Sequence, residues 1–385
     1  MEIYVNRVLA LKKLLSQKSV FLFGPRQTGK SSYVKEQLQQ DIALSWNLLD
    51  GRLRLQVQAD PGLLRQEAEA RNLRNCIIFI DEIQKCPQLL DEIHFLIEDR
   101  AIRFLLTGSS ARKLRTAGVN LLGGRATQRH MHPFVFAEIS REQNYNLPYL
   151  FEHGLLPPLF YSDDIEEDLS AYVNMYLTEE IAAEGAARNL PAFARFLKTA
   201  ASTNAQLINY TNIANDSQVA VQTVRQWYQV LTDTLLGYEI QPFTATKKRK
   251  TIATAKFYFF DIGIVRALRN IPTPAEGTTE FGEFFEQLVC MELRAWIDYT
   301  RPASTLSFWR STANQEVDFC VDTELAVEVK CATVVTDKHL KGLRALREEG
   351  IFKRYIVICR EERPRLVDGI EILPWTYFFE QLWKE

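Results

Sequence analysis

The chain has 385 residues, too many for one ordinary domain, so two or three are expected, each able to bury its own core. Its 46 Lys and Arg nearly cancel its 48 Asp and Glu, leaving a formal net charge of −2, which excludes a globally basic nucleic-acid binder and leaves only local basic surfaces. Six cysteines without paired spacing and five dispersed histidines argue against a disulfide framework and a zinc site, and no cleavable signal or apolar run of transmembrane length is present, so a cytoplasmic protein with no membrane partner is expected.

Residues 3–16 carry Val5, Val8, Leu9, Leu11, Leu14 and Leu15 at helical spacing, which predicts a packing helix. The apolar run Ser19–Phe23 then breaks into Gly24, Pro25, Arg26, Gln27, Thr28, Gly29, Lys30, Ser31 and Ser32. This is a phosphate cradle: glycines let the backbone turn its N–H groups inward, and the helix that starts at Lys30 adds its positive end. Lys30 is placed to reach β/γ-phosphates and the Ser31 hydroxyl to ligate Mg2+, which makes ATP and Mg2+ the expected cofactors.

A second apolar run covers 42–50, followed by a polar, helix-prone stretch to about Asn75. Cys76–Ile80 is a continuous apolar strand ending in Asp81 and Glu82, the Walker B pattern, with Asp81 orienting the metal and Glu82 polarising the attacking water as general base. The next strand, 102–107, ends in Gly108-Ser109-Ser110, and Gly123-Gly124-Arg125 precedes a strand at 126–131. Arg125 is the candidate arginine finger for a neighbouring subunit's γ-phosphate, with Arg112 and Arg115 as competitors.

The succession of the cradle, Ile80–Gln84, Thr107–Ser110, Gly124-Arg125 and Pro133–Ile139 resembles the prokaryotic AAA-like P-loop ATPases that carry a C-terminal domain of unknown function. The resemblance spans nearly the whole chain. It implies an ASCE-type α/β core, ATP hydrolysis, homo-oligomers, and a polar sensor at the tip of the 102–107 strand; Thr107 and Ser109 match that position, Ser109 being favoured.

Beyond the loop-rich join at 148–168, helices are expected at about 167–184 and 191–203, forming a lid. A short helix from Asn209, a turn at 217–220, a longer helix over 221–236, strands at 238–243 and 256–260, and the basic tip Lys247, Lys248, Arg249 and Lys250 between them predict a winged helix-turn-helix. Thr223, Arg225, Gln226 and Gln229 face away from the stripe formed by Val224, Trp227, Tyr228, Leu231 and Leu235. They are candidate contacts to double-stranded DNA, with the tip neutralising phosphates.

After Pro272 and Pro274 the order becomes αβββαβ: a helix over 281–297, strands at 306–310, 317–321 and 325–330, a helix at about 338–349 and a strand at 354–359. Glu328 and Lys330 alternate onto one strand face, and pairing with the Asp318 strand would gather two carboxylates and an ammonium, with Glu286 as a third acid, enough to hold a divalent cation against a phosphodiester. Topology and spacing look like the PD-(D/E)xK nuclease fold, so a restriction-endonuclease-like domain is implied.

The domains expected are therefore 1–145 (ATPase), 146–204 (helical lid), 205–270 (winged helix) and 278–385 (nuclease-like). The function expected is ATP hydrolysis coupled to nucleic-acid binding or processing, against two alternatives: a nucleotide switch with negligible turnover that controls a DNA- or protein-binding module, and an ATP-dependent DNA nuclease.

Overall fold

The computed structural model describes residues 4–110, 112, 114, 122–142, 145–177 and 189–384, leaving aside the side chains of 175–177. The chain divides into two compact units, Met1–His132 with Asp233–Leu235, and Pro133–Thr232 with Leu236–Glu385.

The first unit is built on five parallel strands: β1 (Ser19–Phe23), β2 (Ile42–Asn47), β3 (Ile77–Asp81), β4 (Arg103–Gly108) and β5 (Ala126–His130), in the order β2-β3-β4-β1-β5. Strands β1, β3 and β4 are buried along nearly their whole length with apolar residues through their middles, as strands of a parallel sheet covered on both faces are, and all three end at the same edge of the sheet. Insertion of β4 between β1 and β3 leaves a crevice outside their carboxyl ends, where open α/β sheets hold ligands.

The helix expected over 3–16 is reduced to Lys12–Leu15. Upstream, polar anchoring outcompetes helical periodicity: Tyr4 Oη and the Arg7 N–H both donate to Gln37 Oε1, at 2.6 and 2.7 Å, and Tyr33 Oη donates to the Leu9 carbonyl at 2.8 Å. The Arg115 candidate lies outside the described residues.

In the second unit, helix Tyr210–Ser217, a short turn and helix Val221–Asp233 precede the antiparallel pair β6 (Gly237–Pro242) and β7 (Lys256–Phe259). The 221–236 helix stops at Asp233, and Leu235, at φ +63°, packs with the core of the first unit instead of continuing the stripe. The 22-residue helix Thr279–Thr300 is followed by β8 (Leu306–Arg310), β9 (Glu316–Val321) and β10 (Leu325–Val329), the helix Lys341–Arg347, and β11 (Arg354–Cys359). Strand pairing is antiparallel for β8/β9 and β9/β10 and parallel for β10/β11. β12 (Arg365–Val367), β13 (Ile370–Pro374) and the helix Trp375–Leu382 extend this order unanticipated, and β6 joins β8 in parallel, so all eight strands share one sheet. Of the helix expected at 167–184, Ile165–Ala171 and Tyr172–Leu177 are observed and the rest lies outside the described residues; Leu190–Ser202 corresponds to 191–203.

Candidate functional site

The loop after β1 is shaped before any ligand arrives. Gly29 has φ +89° and Gln27 φ +63°, left-handed positions of the kind that turn successive N–H groups to one side. A side chain on Gly24 would place its Cβ 2.5 Å from the Met131 carbonyl oxygen, so only glycine fits there. Thr28 is fully buried, and its hydroxyl closes the loop on the Pro25 carbonyl at 2.9 Å. The Lys30 ammonium is buried and donates to the carbonyls of Gly24 (2.7 Å) and Pro25 (2.9 Å), folded over the loop it would serve. Arg26 is half-buried, whereas Gln27, Ser31 and Ser32 are exposed.

Opposite the loop, the exposed Ser31 hydroxyl donates to Asp81 Oδ2 at 2.8 Å, and Thr107 donates to Asp81 Oδ1. Glu82 stands at φ +60°, a strained setting for a non-glycine residue. Burial raises its carboxyl above the ordinary range, with Asp81 adding to the shift and the Lys30 and Arg26 cations opposing it. Gln84 Nε2 donates to Glu82 Oε2 (2.5 Å) and to Ser109 Oγ (3.3 Å). The two sensor candidates thus divide the work: Thr107 fixes Asp81, while Ser109 joins Glu82 through Gln84. Hydroxyl and carboxylate oxygens at the mouth of the loop are the hard donors that Mg2+ takes, so Ser31 and Asp81 fit that ion.

Arg7 was not anticipated. Its buried guanidinium donates to the Thr28 carbonyl (2.6 Å) and the His132 carbonyl (2.7 Å), bracing the phosphate loop from behind. Arg125 is placed otherwise than a role within one chain requires: it pairs with Glu98 just before β5, and its carbonyl accepts from Ser19 N–H at the start of β1. A strand of five residues, roughly 16 Å, separates that edge from the phosphate loop.

On helix Val221–Asp233, Arg225, Gln226 and Gln229 are exposed and Thr223 is half-buried, while the Arg225 guanidinium lies 4.0 Å over the Tyr210 ring. The basic tip is less free than its sequence suggests. Glu349 Oε2 accepts from the Lys247 and Lys248 N–H groups, both at 2.9 Å, and the Lys248 ammonium meets the Glu348 carbonyl at 2.5 Å. Arg249 pairs with Glu348 at 2.6 Å and donates to the Ala345 carbonyl at 2.9 Å, so it does not project toward a phosphate. The Lys250 side chain is exposed.

Glu286, Asp318, Glu328 and Lys330 do come together. Lys330 Nζ is 2.6 Å from Glu328 Oε1 and 3.8 Å from Asp318 Oδ2, and the Val329 N–H donates to Asp318 Oδ2 at 2.8 Å. Burial drives Glu328 well above the ordinary carboxyl range, with Asp318 adding to the shift and Lys330 opposing it. Lys256, which the expected set did not include, also enters this cluster. Its buried ammonium lies 2.7 Å from Glu316 Oε1, 3.2 Å from Glu286 Oε1 and 3.9 Å from Asp318 Oδ1. Among the described residues no three or more His, Cys, Asp or Glu are arranged to hold a metal ion.

Residues 16–140 match the family model described as AAA domain, over the part of the chain that forms the five-stranded parallel sheet and the phosphate loop. Residues 144–275 match a domain of unknown function (DUF8612), and 281–378 match another (DUF4143). Uncharacterised proteins of Mycobacterium bovis and Mycobacterium tuberculosis are each 26% identical over 370 residues, covering 92% of this chain and 79% of theirs. Among solved structures, the Aeropyrum pernix Orc1 protein in complex with DNA is 12% identical over 71% of this chain and 94% of that one, at a TM-score of 0.31, too loose a likeness to bear on fold or ligand. Among the described residues no helix is long and apolar enough to cross a membrane.

Proposed function

We propose that the chain hydrolyses ATP in its AAA-like domain and couples turnover to duplex DNA through the exposed face of helix Val221–Asp233. The observation that carries the first half is the Ser31 Oγ to Asp81 Oδ2 hydrogen bond beside the folded-over Lys30: together they bring the oxygen donors and the cation that a metal–nucleotide pair needs to one crevice. Lys30 neutralises the β/γ-phosphates, and the loop N–H groups cradle them. Ser31 and Asp81 would hold Mg2+, which when bound would neutralise charge on the transferring phosphoryl group. Glu82 orients the attacking water and accepts its proton, at an angle fixed by Gln84. Because Arg125 sits at the far edge of its own sheet, its action on a γ-phosphate needs a second copy of the chain.

The DNA half rests on two helices joined by a turn and followed by the β6–β7 pair, which we read as a winged helix, with Arg225, Gln226 and Gln229 exposed. Steady-state phosphate release from ATP and Mg2+, with and without duplex DNA, tests the coupling. Stimulation that disappears in Arg225→Ala with Gln226→Ala supports it, and turnover indifferent to DNA rejects it, leaving an ATPase that serves another partner.

A further inference from the structure

The centre of the second unit gathers carboxylates from three elements, the long helix, β9 and β10, and two lysines, one on β7 and one just after β10. Glu286 comes from helix Thr279–Thr300, and Glu316 and Asp318 from β9; Lys330 follows β10, and Lys256 arrives on β7. Alternation along β7 sets Lys256 and Tyr258 on one face, and Tyr258 Oη donates to Glu286 Oε1 at 2.5 Å, so the strand delivers both an ammonium and a hydroxyl to one carboxylate. Lys256 is 4% exposed and Asp318 and Glu328 each 6%. Burying carboxylates at this depth is costly unless each finds a counter-charge or takes up a proton. Burial favours loss of the Lys256 proton, yet Glu286, Asp318 and Glu316 outweigh it and hold the amine charged. Glu328 Oε2, also buried, makes no hydrogen bond, in keeping with a carboxyl that burial holds toward its protonated form.

We propose that Lys256 is the resident cation of this centre, its ammonium filling the position between Glu286, Glu316 and Asp318 that a divalent metal would otherwise take. Asp318 bridges the two lysines, one oxygen toward Lys256 and the other toward Lys330. A divalent ion can enter only if the ammonium leaves, and the strand that carries it belongs to the β6–β7 pair, which lies outside the αβββαβ order. The centre as folded is therefore closed to metal-dependent phosphodiester cleavage. This conclusion is independent of ATP turnover in the first unit.

Titration of the full chain with MnCl2, followed by the electron paramagnetic resonance of free Mn2+, tests the proposal. Every arm carries Asp81→Asn to silence the nucleotide site. With Lys256 present, no Mn2+ binding that depends on Asp318 is expected. Lys256→Gln, checked for native circular dichroism, is expected to bind Mn2+ at least about tenfold more tightly, and Asp318→Asn added to it should abolish the gain. Binding in the Lys256 protein that Asp318→Asn removes overturns the proposal whether or not the variant folds. A folded Lys256→Gln with no gain overturns it too; Lys256→Met takes its place if the glutamine variant is not native.

Discussion

Gln84 Nε2 lies 2.5 Å from Glu82 Oε2 and 3.3 Å from Ser109 Oγ, so a single side-chain amide ties the candidate general base to the tip of β4. With Glu82 at φ +60°, the carboxylate is held by this bond from one side and by its strained backbone from the other. Gln84→Ala is expected to lower phosphate release by about tenfold while changing ATP affinity by less than about threefold, because it acts on orientation and not on binding. Gln84→Glu separates positioning from packing: it keeps the volume but sets a like charge beside Glu82, and should raise the acidic limb of the pH–rate profile.

Arg7 makes its two carbonyl contacts from a buried position, so truncation strands both acceptors and frees the loop at Thr28. Arg7→Ala should cost about 3 kcal/mol in urea unfolding and weaken ATP binding by about tenfold, both measurable in the same preparation. An unchanged nucleotide affinity alongside lost stability would mean that the brace serves folding alone.

The first unit shows why part of the molecule is readable in sequence. Phe21–Phe23 and Ile78–Ile80 form unbroken apolar runs because both sheet faces are covered, and the cradle and Asp81 follow at strand ends, where local spacing suffices to find them. Arg7 leaves no such trace, since Thr28 and His132 lie 21 and 125 residues away. Lys256 reads as an ordinary strand-edge cation; only the pairing of β6 with β8 puts it among acids 30 to 62 residues further on. The 3–16 segment misleads in the opposite sense. Leu9, Leu11 and Leu15 are buried as expected, but polar anchors to Gln37 and Tyr33 hold the chain upstream of Lys12 out of a helix.

Glu292 supplies a pH dependence. It is buried, accepts from the Phe136 N–H at 2.7 Å and the Trp383 indole at 2.9 Å, and burial outweighs both bonds to push its carboxyl up to about 8. A folded value above the unfolded one favours the protonated form. Its contribution to stability is therefore full below about pH 4.5 and is lost progressively as pH rises to about 8, by at most about 1.4 kcal/mol per unit. Urea midpoints between pH 5.5 and 8 should fall less steeply in Glu292→Gln, whatever the absolute stability of that variant.

The basic tip separates free from committed charge. Lys247 and Lys250 have exposed side chains, whereas Arg249 is engaged by Glu348 and Ala345. If duplex DNA is bound there, Lys247→Ala with Lys250→Ala should reduce the slope of log affinity against log salt by about 2, and Arg249→Ala by less than about 0.5. Equal effects from all three residues would mean that Glu348 releases Arg249 on binding.

The most direct test of ATP hydrolysis at the Ser31, Asp81 and Glu82 crevice sets ATP affinity and phosphate release side by side in the unaltered chain and in Glu82→Gln. The expected result is an affinity within about threefold and a release rate lower by at least about a hundredfold. Equal release rates in the two proteins, with ATP bound in both, would contradict Glu82 as the base and leave the cradle a nucleotide switch.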